Sequence, residues 1–85
     1  MAKIEIYTKP FCPYCERAKA LFDKKGVSYE EIKASDDPTK RQEMNERSNR
    51  NTFPQIFINQ VHIGGCDDLM VLEQKGSLDP LLSDS

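Results

Sequence analysis

The feature that most narrows the fold is a strand–helix–strand pattern packed into residues 3–32. Lys3-Ile4-Glu5-Ile6-Tyr7 alternates polar and apolar side chains, the period of a β-strand. Thr8 to Phe11 breaks the pattern, with Pro10 inside it, and Cys12-Pro13 then opens a helix. Proline suits the first helical position because its missing N–H has no intrahelical partner there. Cys15, Ala18, Leu21 and Phe22 follow at helical spacing. Lys24-Lys25-Gly26 predicts the stop, with cations at the negative end of the helix dipole and glycine just beyond. Val27 to Ile32 reads as a second strand. Two strands joined through a helix in this way form a parallel pair with a right-handed crossover.

The rest of the chain supplies a helix, a hairpin and another helix. Asp37-Pro38 starts a helix reaching to about Arg47, with Asp37 as its N-cap and Met44 as its one clearly apolar side chain. Ser48 to Thr52 is a polar loop. Gln55-Ile56-Phe57-Ile58 and Val61-His62-Ile63 are apolar runs separated by Asn59-Gln60, the spacing of a two-residue hairpin without the favoured Asn-Gly pair. Gly64-Gly65 precedes a third helix from Cys66 or Asp67 to about Lys75, and Asp79-Pro80-Leu81-Leu82 adds a last turn. This order predicts an α/β protein: a four-stranded mixed β-sheet flanked by helices on both faces, the thioredoxin fold in its minimal form.

Composition enters through what it excludes. A chain of 85 residues suits one domain, spanning residues 1–85, with a single core and little margin. The net charge of −2, from 12 basic and 14 acidic side chains, gives no basic stripe for nucleic acid. No apolar run approaches the ~20 residues of a membrane helix. Lys3 and Glu5 interrupt the N-terminal apolar stretch, so it does not read as a secretory segment. A cytoplasmic protein is expected, with no nucleic acid, no membrane and a monomeric state.

Three cysteines, Cys12, Cys15 and Cys66, an odd number in a chain whose N-terminus does not read as secretory, argue against a disulfide framework. A Cys12–Cys15 bond would close so short a loop that it removes little chain entropy, and is more use as chemistry than as scaffold. C-x-x-C beside a βαβ pattern points to redox exchange. Cys12 falls where unpaired N–H groups of the new helix and its dipole stabilise an anion, and Lys9 adds a positive charge nearby. The thiolate is the species that attacks disulfides. Cys15, one turn deeper on the same helix face, should be shielded, so Cys12 attacks and Cys15 resolves. C-x-x-C is also half of a zinc site, but only Cys66 and His62 remain as further soft ligands, and no metal is expected. His62, between Val61 and Ile63 in a hairpin strand, reads as structural, and Cys66 as a small buried filler.

Three elements together carry a resemblance. Cys12-Pro13-Tyr14-Cys15 after a first strand, Thr52-Phe53-Pro54, and Gly64-Gly65-Cys66-Asp67-Asp68 resemble, at matching spacing, the active-site tetrad, the Thr-Val-Pro element and the glycine-pair segment of the dithiol glutaredoxins. The likeness covers essentially the whole chain and is nearest to the short bacterial members. It implies a glutathione-disulfide oxidoreductase that reduces protein–glutathione mixed disulfides and protein disulfides. Glutathione is then a co-substrate, and no cofactor is permanently bound. The resemblance implies that Pro54 is cis and that the Phe53 backbone pairs with the cysteinyl part of glutathione, with Thr52 beside it. It further implies that the N–H groups of Cys66 and Asp67, after Gly65, hold the γ-glutamyl carboxylate. Asp67 or Asp68 takes the ammonium, Lys9 and Arg41 take the glycyl carboxylate, and Tyr14 lines the cleft. Phe53 replaces the family's valine, which bears on substrate range. Two rivals are a redoxin reduced by thioredoxin reductase and an iron–sulfur scaffold ligated by Cys12 and glutathione.

Overall fold

In a computed structural model that describes residues 2–83, the elements run β1 (Ile4–Thr8), α1 (Pro13–Lys25), β2 (Glu30–Lys33), α2 (Pro38–Ser48), β3 (Gln55–Ile58), β4 (Val61–Gly64), α3 (Cys66–Gln74) and α4 (Leu78–Ser83). The sheet order is β2-β1-β3-β4, with β1 parallel to β2 and antiparallel to β3, and β3 antiparallel to β4. A βαβ unit and a hairpin thus join along β1 and β3, as the thioredoxin fold requires. One face of the sheet, through Ile4, Ile6, Ile56 and Ile58, packs against Ala18, Leu21 and Phe22 of α1, Leu69 of α3, and Leu78 and Leu82 of α4. The other face, through Tyr7, Ile32 and Phe57, packs against Met44 of α2.

The alternation in β1 predicts one polar face, but all five of its residues are buried. Both sides of the strand are covered, and Glu5 is satisfied by an ion pair instead of water. Arg47 of α2 grips it with both nitrogens, Nη2 to Oε1 at 3.0 Å and Nη1 to Oε2 at 3.2 Å. That hydrogen-bonded guanidinium holds the Glu5 carboxyl below the usual carboxylate range. The same guanidinium lies 3.9 Å from the Phe57 ring centroid and donates to the Tyr7 hydroxyl at 2.8 Å. Tyr7 in turn donates to Glu43 at 2.7 Å. Burial first, and then the Glu43 contact, push the Tyr7 phenol up to about 12. These contacts explain why α2 needs so little apolar surface: cation–π and charge-assisted bonds fasten it where aliphatic packing fastens α1.

Helix boundaries follow the local signals. Gly26 takes φ +72° at the end of α1, the left-handed stop its position predicts. Asp37 Oδ1 accepts from the Thr39 and Lys40 N–H groups at 3.1 and 3.2 Å, capping α2. Strand β2 is shorter than Val27–Ile32 and begins at Glu30. The Gly26 and Val27 N–H groups turn back onto Asp23 and Phe22 carbonyls, so the chain reaches the β1 ladder only at Glu30. Val27 and Tyr29 still pack against the core. In the hairpin, Asn59 and Gln60 both take positive φ, +52° and +72°, the two-residue turn that matches strand twist. Asn59 is held from the side by Lys3, whose N–H donates to Asn59 Oδ1 and whose carbonyl accepts from the Asn59 N–H, both at 2.8 Å.

Candidate active site

The start of α1 forms the first wall of a cleft. Phe11, at φ +55°, turns the chain sharply after β1, and Cys12 follows as the N-cap in extended conformation. Its Sγ accepts a hydrogen bond from the Cys15 N–H at 3.2 Å. The sulfur therefore occupies the place usually taken by a serine or aspartate oxygen, on the positive end of the helix dipole. All three cysteines are free thiols. Cys15 is wholly buried, and burial, followed by its contact with Cys12, pushes its thiol up to about 12. Cys15 thus keeps its proton, and Cys12 is the sulfur presented to the helix N–H groups. Both residues are buried, Cys12 at 4% exposed and Cys15 at 0%.

The second wall is the entry to β3. The Phe53–Pro54 peptide is cis. Gln55 Nε2 donates to both the carbonyl and the hydroxyl of Thr52, at 3.1 and 2.9 Å, and fixes the residue before Phe53. The third wall is the start of α3. Gly64 has φ +122°, and a side chain there would collide with the Asp68 carboxylate. Gly65 is the N-cap and offers no side chain. Asp68 reaches back instead: its Oδ2 accepts from the Gly65 N–H at 3.0 Å and pairs with Arg50 Nη1 at 3.2 Å. The Gly65 hydrogen bond is the main reason that the Asp68 carboxyl is held below its ordinary range.

A cavity of about 220 Å³ lies between these walls. Tyr14 lines it from α1, Thr52, Phe53 and Pro54 from the β3 entry, and Gly65, Cys66, Asp67 and Asp68 from the α3 start. Eight positions selected from sequence thus converge on one space. Arg50, which the sequence did not single out, lines it too. It sits in the polar loop between α2 and β3, and its relevance arises only through Asp68, a contact between distant parts of the chain. Ser48 holds this loop: its hydroxyl donates to the Met44 carbonyl at 2.7 Å and accepts from the Arg50 N–H at 3.0 Å.

Lys9 and Arg41 are placed differently. Neither lines the cavity; they stand over the Phe53 ring, 6.0 and 5.9 Å from its centroid. Phe53 therefore separates the cavity from two cations that flank it. Arg17 stands similarly over Tyr14, at 5.8 Å. Cys66 is buried as the first residue of α3, and burial, then the nearby Asp67 charge, push its thiol up. His62 lies 2.8 Å from Gln55 Oε1 and against Phe57, and its pKa is lowered by burial and then by Arg50. It is a structural side chain and does not line the cavity. Among the described residues no three His, Cys, Asp or Glu side chains gather as a metal site, and no helix is long and apolar enough to cross a membrane.

Known proteins resemble this chain in sequence and fold. Residues 4–63 match the family sequence pattern described as glutaredoxin. Glutaredoxin 3 of Escherichia coli K12 is 60% identical over 82 residues, which span 96% of this chain and 99% of that protein. A glutaredoxin of Pseudomonas aeruginosa is 48% identical over 83 residues, 98% of this chain and 99% of its own. Among solved structures, a glutaredoxin from Brucella melitensis superposes with a TM-score of 0.84 at 62% identity, covering 96% of this chain and 89% of that one. A buckwheat glutaredoxin–glutathione complex gives 0.86 at 34% identity, over 96% and 77% respectively.

Proposed function

This chain belongs to the glutaredoxin family and is a glutathione-dependent thiol–disulfide oxidoreductase, and from that premise we propose that it reduces protein–glutathione mixed disulfides and protein disulfides through Cys12. The observation that carries the proposal is the Cys12 sulfur capping α1, two residues before Tyr14, which lines a cavity that ends at a second helix start.

In the first route, the Cys12 thiolate attacks the glutathione sulfur of a mixed disulfide. The Cys12–glutathione bond forms as the protein–glutathione bond breaks, and the protein thiolate leaves and takes a proton. A second glutathione thiolate then attacks the glutathione sulfur on Cys12, releasing oxidised glutathione and regenerating the Cys12 thiolate. In the second route, Cys12 attacks a protein disulfide. Cys15 gives up its proton, attacks Cys12 Sγ, and expels the reduced protein, leaving a Cys12–Cys15 disulfide that two glutathiones reduce. The raised pKa of the buried Cys15 supports this division of labour, since a protonated thiol is a poor nucleophile.

The cavity fits a tripeptide lying from Cys12 toward α3. The Phe53 backbone pairs with its cysteinyl part, flanked by Thr52, Pro54 and Tyr14. The Cys66 and Asp67 N–H groups, left without a capping side chain, take the γ-glutamyl carboxylate. The exposed Asp67 takes the ammonium; Asp68 is engaged with Gly65 and Arg50 and shapes the backbone. The glycyl carboxylate reaches toward Lys9 and Arg41 beyond the Phe53 ring. Turnover of a glutathionylated protein by this chain with glutathione, glutathione reductase and NADPH tests the reading. Brisk turnover there, and none with thioredoxin reductase and NADPH, is the expected result. The reverse pattern contradicts it.

A further inference from the structure

A second cavity, also about 220 Å³, opens on the other side of the Pro10–Phe11 turn and shares no lining residue with the first. Phe11 is its rim. That side chain stands fully in solvent, immediately before the nucleophile in sequence, on a residue at φ +55°. A bulky residue is uncommon in that conformation, and an exposed aromatic gains nothing from folding. Its ring supplies an apolar surface next to Cys12 in the chain that no described residue covers.

The floor of this cavity is charged. Glu31 accepts from Thr8 at 2.9 Å and from Lys19 at 3.0 Å, and Lys19 also pairs with Glu16 at 2.7 Å. Both carboxylates are thereby engaged by one lysine. Lys9 and Lys33 complete the lining and have no ion-pair partner among the described residues. Three cations face two carboxylates there, in a chain whose net charge is −2. The local excess is positive where the molecule as a whole is negative.

We propose that this cavity is the docking site for the protein half of the substrate, and that it selects an acidic side chain close in sequence to the glutathionylated cysteine. The inference rests on the mixed-disulfide reading above. With glutathione in the first cavity, the departing protein segment crosses the surface around Cys12 and meets Phe11. The Phe11 ring covers the apolar stem of an Asp or Glu whose carboxylate reaches Lys33, the lining cation that neither glutathione nor, among the described residues, an ion pair engages. Such a contact adds affinity for the protein substrate without touching the reacting sulfurs. It is weakened by salt, because the cavity is open to solvent.

The test uses the full chain, glutathione, and peptides carrying one glutathionylated cysteine, with Glu, Gln or Lys placed in turn within about three residues of it. The mixed disulfide of glutathione with a small neutral thiol serves as reference. At one or more positions the Glu peptide should exceed the Gln peptide in kcat/KM by about threefold, with the Lys peptide lower still. Lys33→Glu should invert the order of the Glu and Lys peptides and leave the small substrate unchanged. The proposal is overturned if no position favours Glu, or if the Glu preference survives Lys33→Glu. Failure of the unsubstituted chain to turn over the small mixed disulfide would instead overturn the reading on which the proposal rests.

Discussion

Helices α1 and α3 both begin at the cleft, and they satisfy their first turns by opposite means. At α1 the cap is the reacting sulfur itself, accepting from the Cys15 N–H. At α3 the cap is Gly65, which has no side chain to offer, and Asp68 turns back from within the helix to bond the Gly65 N–H. The same backbone feature, a ring of unpaired N–H groups at a positive dipole end, is met by a hydrogen-bonded sulfur at one helix and kept open at the other. In the proposed function a thiol in the first place does the chemistry, and an open start in the second recognises a carboxylate. Pro54 closes on the second start, its carbonyl 3.4 Å from where a Gly65 side chain would begin.

The sharpest way to break this comparison is to remove the sulfur from the first helix start. Cys12→Ser keeps a capping oxygen, so the helix should persist by circular dichroism. Turnover of a glutathionylated substrate should fall by at least about a thousandfold. Retained activity would show that the cap and the nucleophile are different groups.

Next in size is the backbone of the second start. Gly64→Ala places a side chain at φ +122° and against the Asp68 carboxylate. We expect a loss of about 2 kcal/mol, seen as a drop of order 10 °C in Tm, together with a raised KM for glutathione. Thermal melts with and without glutathione measure both.

Asp68→Asn acts on the same corner more gently. The Gly65 contact becomes neutral and the Arg50 pair is lost, and KM for glutathione should rise about fivefold with kcat little changed. The variant also carries a pH signature. The native Asp68 pKa is lowered, chiefly by the Gly65 N–H. Its stabilisation is therefore complete above the ordinary aspartate pKa of ~3.9 and is lost as pH falls through the lowered native value. Melts across the acid range should show a shallower decline for Asp68→Asn than for the parent.

The smallest effect is expected at Cys66, the first residue of α3. It contributes a buried thiol and, in the proposed site, only its backbone N–H. Cys66→Ala should keep kcat/KM within about twofold, with a stability loss of about 1 kcal/mol from the missing sulfur. A large loss of activity would move Cys66 into the chemistry.

Much of this arrangement was legible from local rules. Pro13 after Cys12, Asp37 before Pro38, and the cation–glycine end of α1 each signal a boundary through the residues beside it, and each lies where those residues require. The tetrad, the Thr52-Phe53-Pro54 element and the Gly64-Gly65 segment could be gathered into one site because their chemistry repeats a family pattern. Long-range contacts were not legible. Arg50 joins the cavity through Asp68, 18 positions away, and nothing in Asn49-Arg50-Asn51 announces that. Glu5 reads as a solvent-facing strand residue until Arg47 closes over it. The thin apolar face of α2 looks weak until the same arginine is found against Phe57. The family resemblance points to Lys9 and Arg41 as carboxylate-binding cations, but where a flexible cation rests depends on the nearest aromatic face. Here Phe53 provides that face for both.

The division of roles between the cysteines is tested most directly by mass spectrometry of Cys15→Ser after incubation with oxidised glutathione. With the resolving thiol gone, the adduct has no internal route of escape. One glutathione per chain, mapped to Cys12, is the predicted result. Glutathione on Cys66, or no adduct at all, would contradict it.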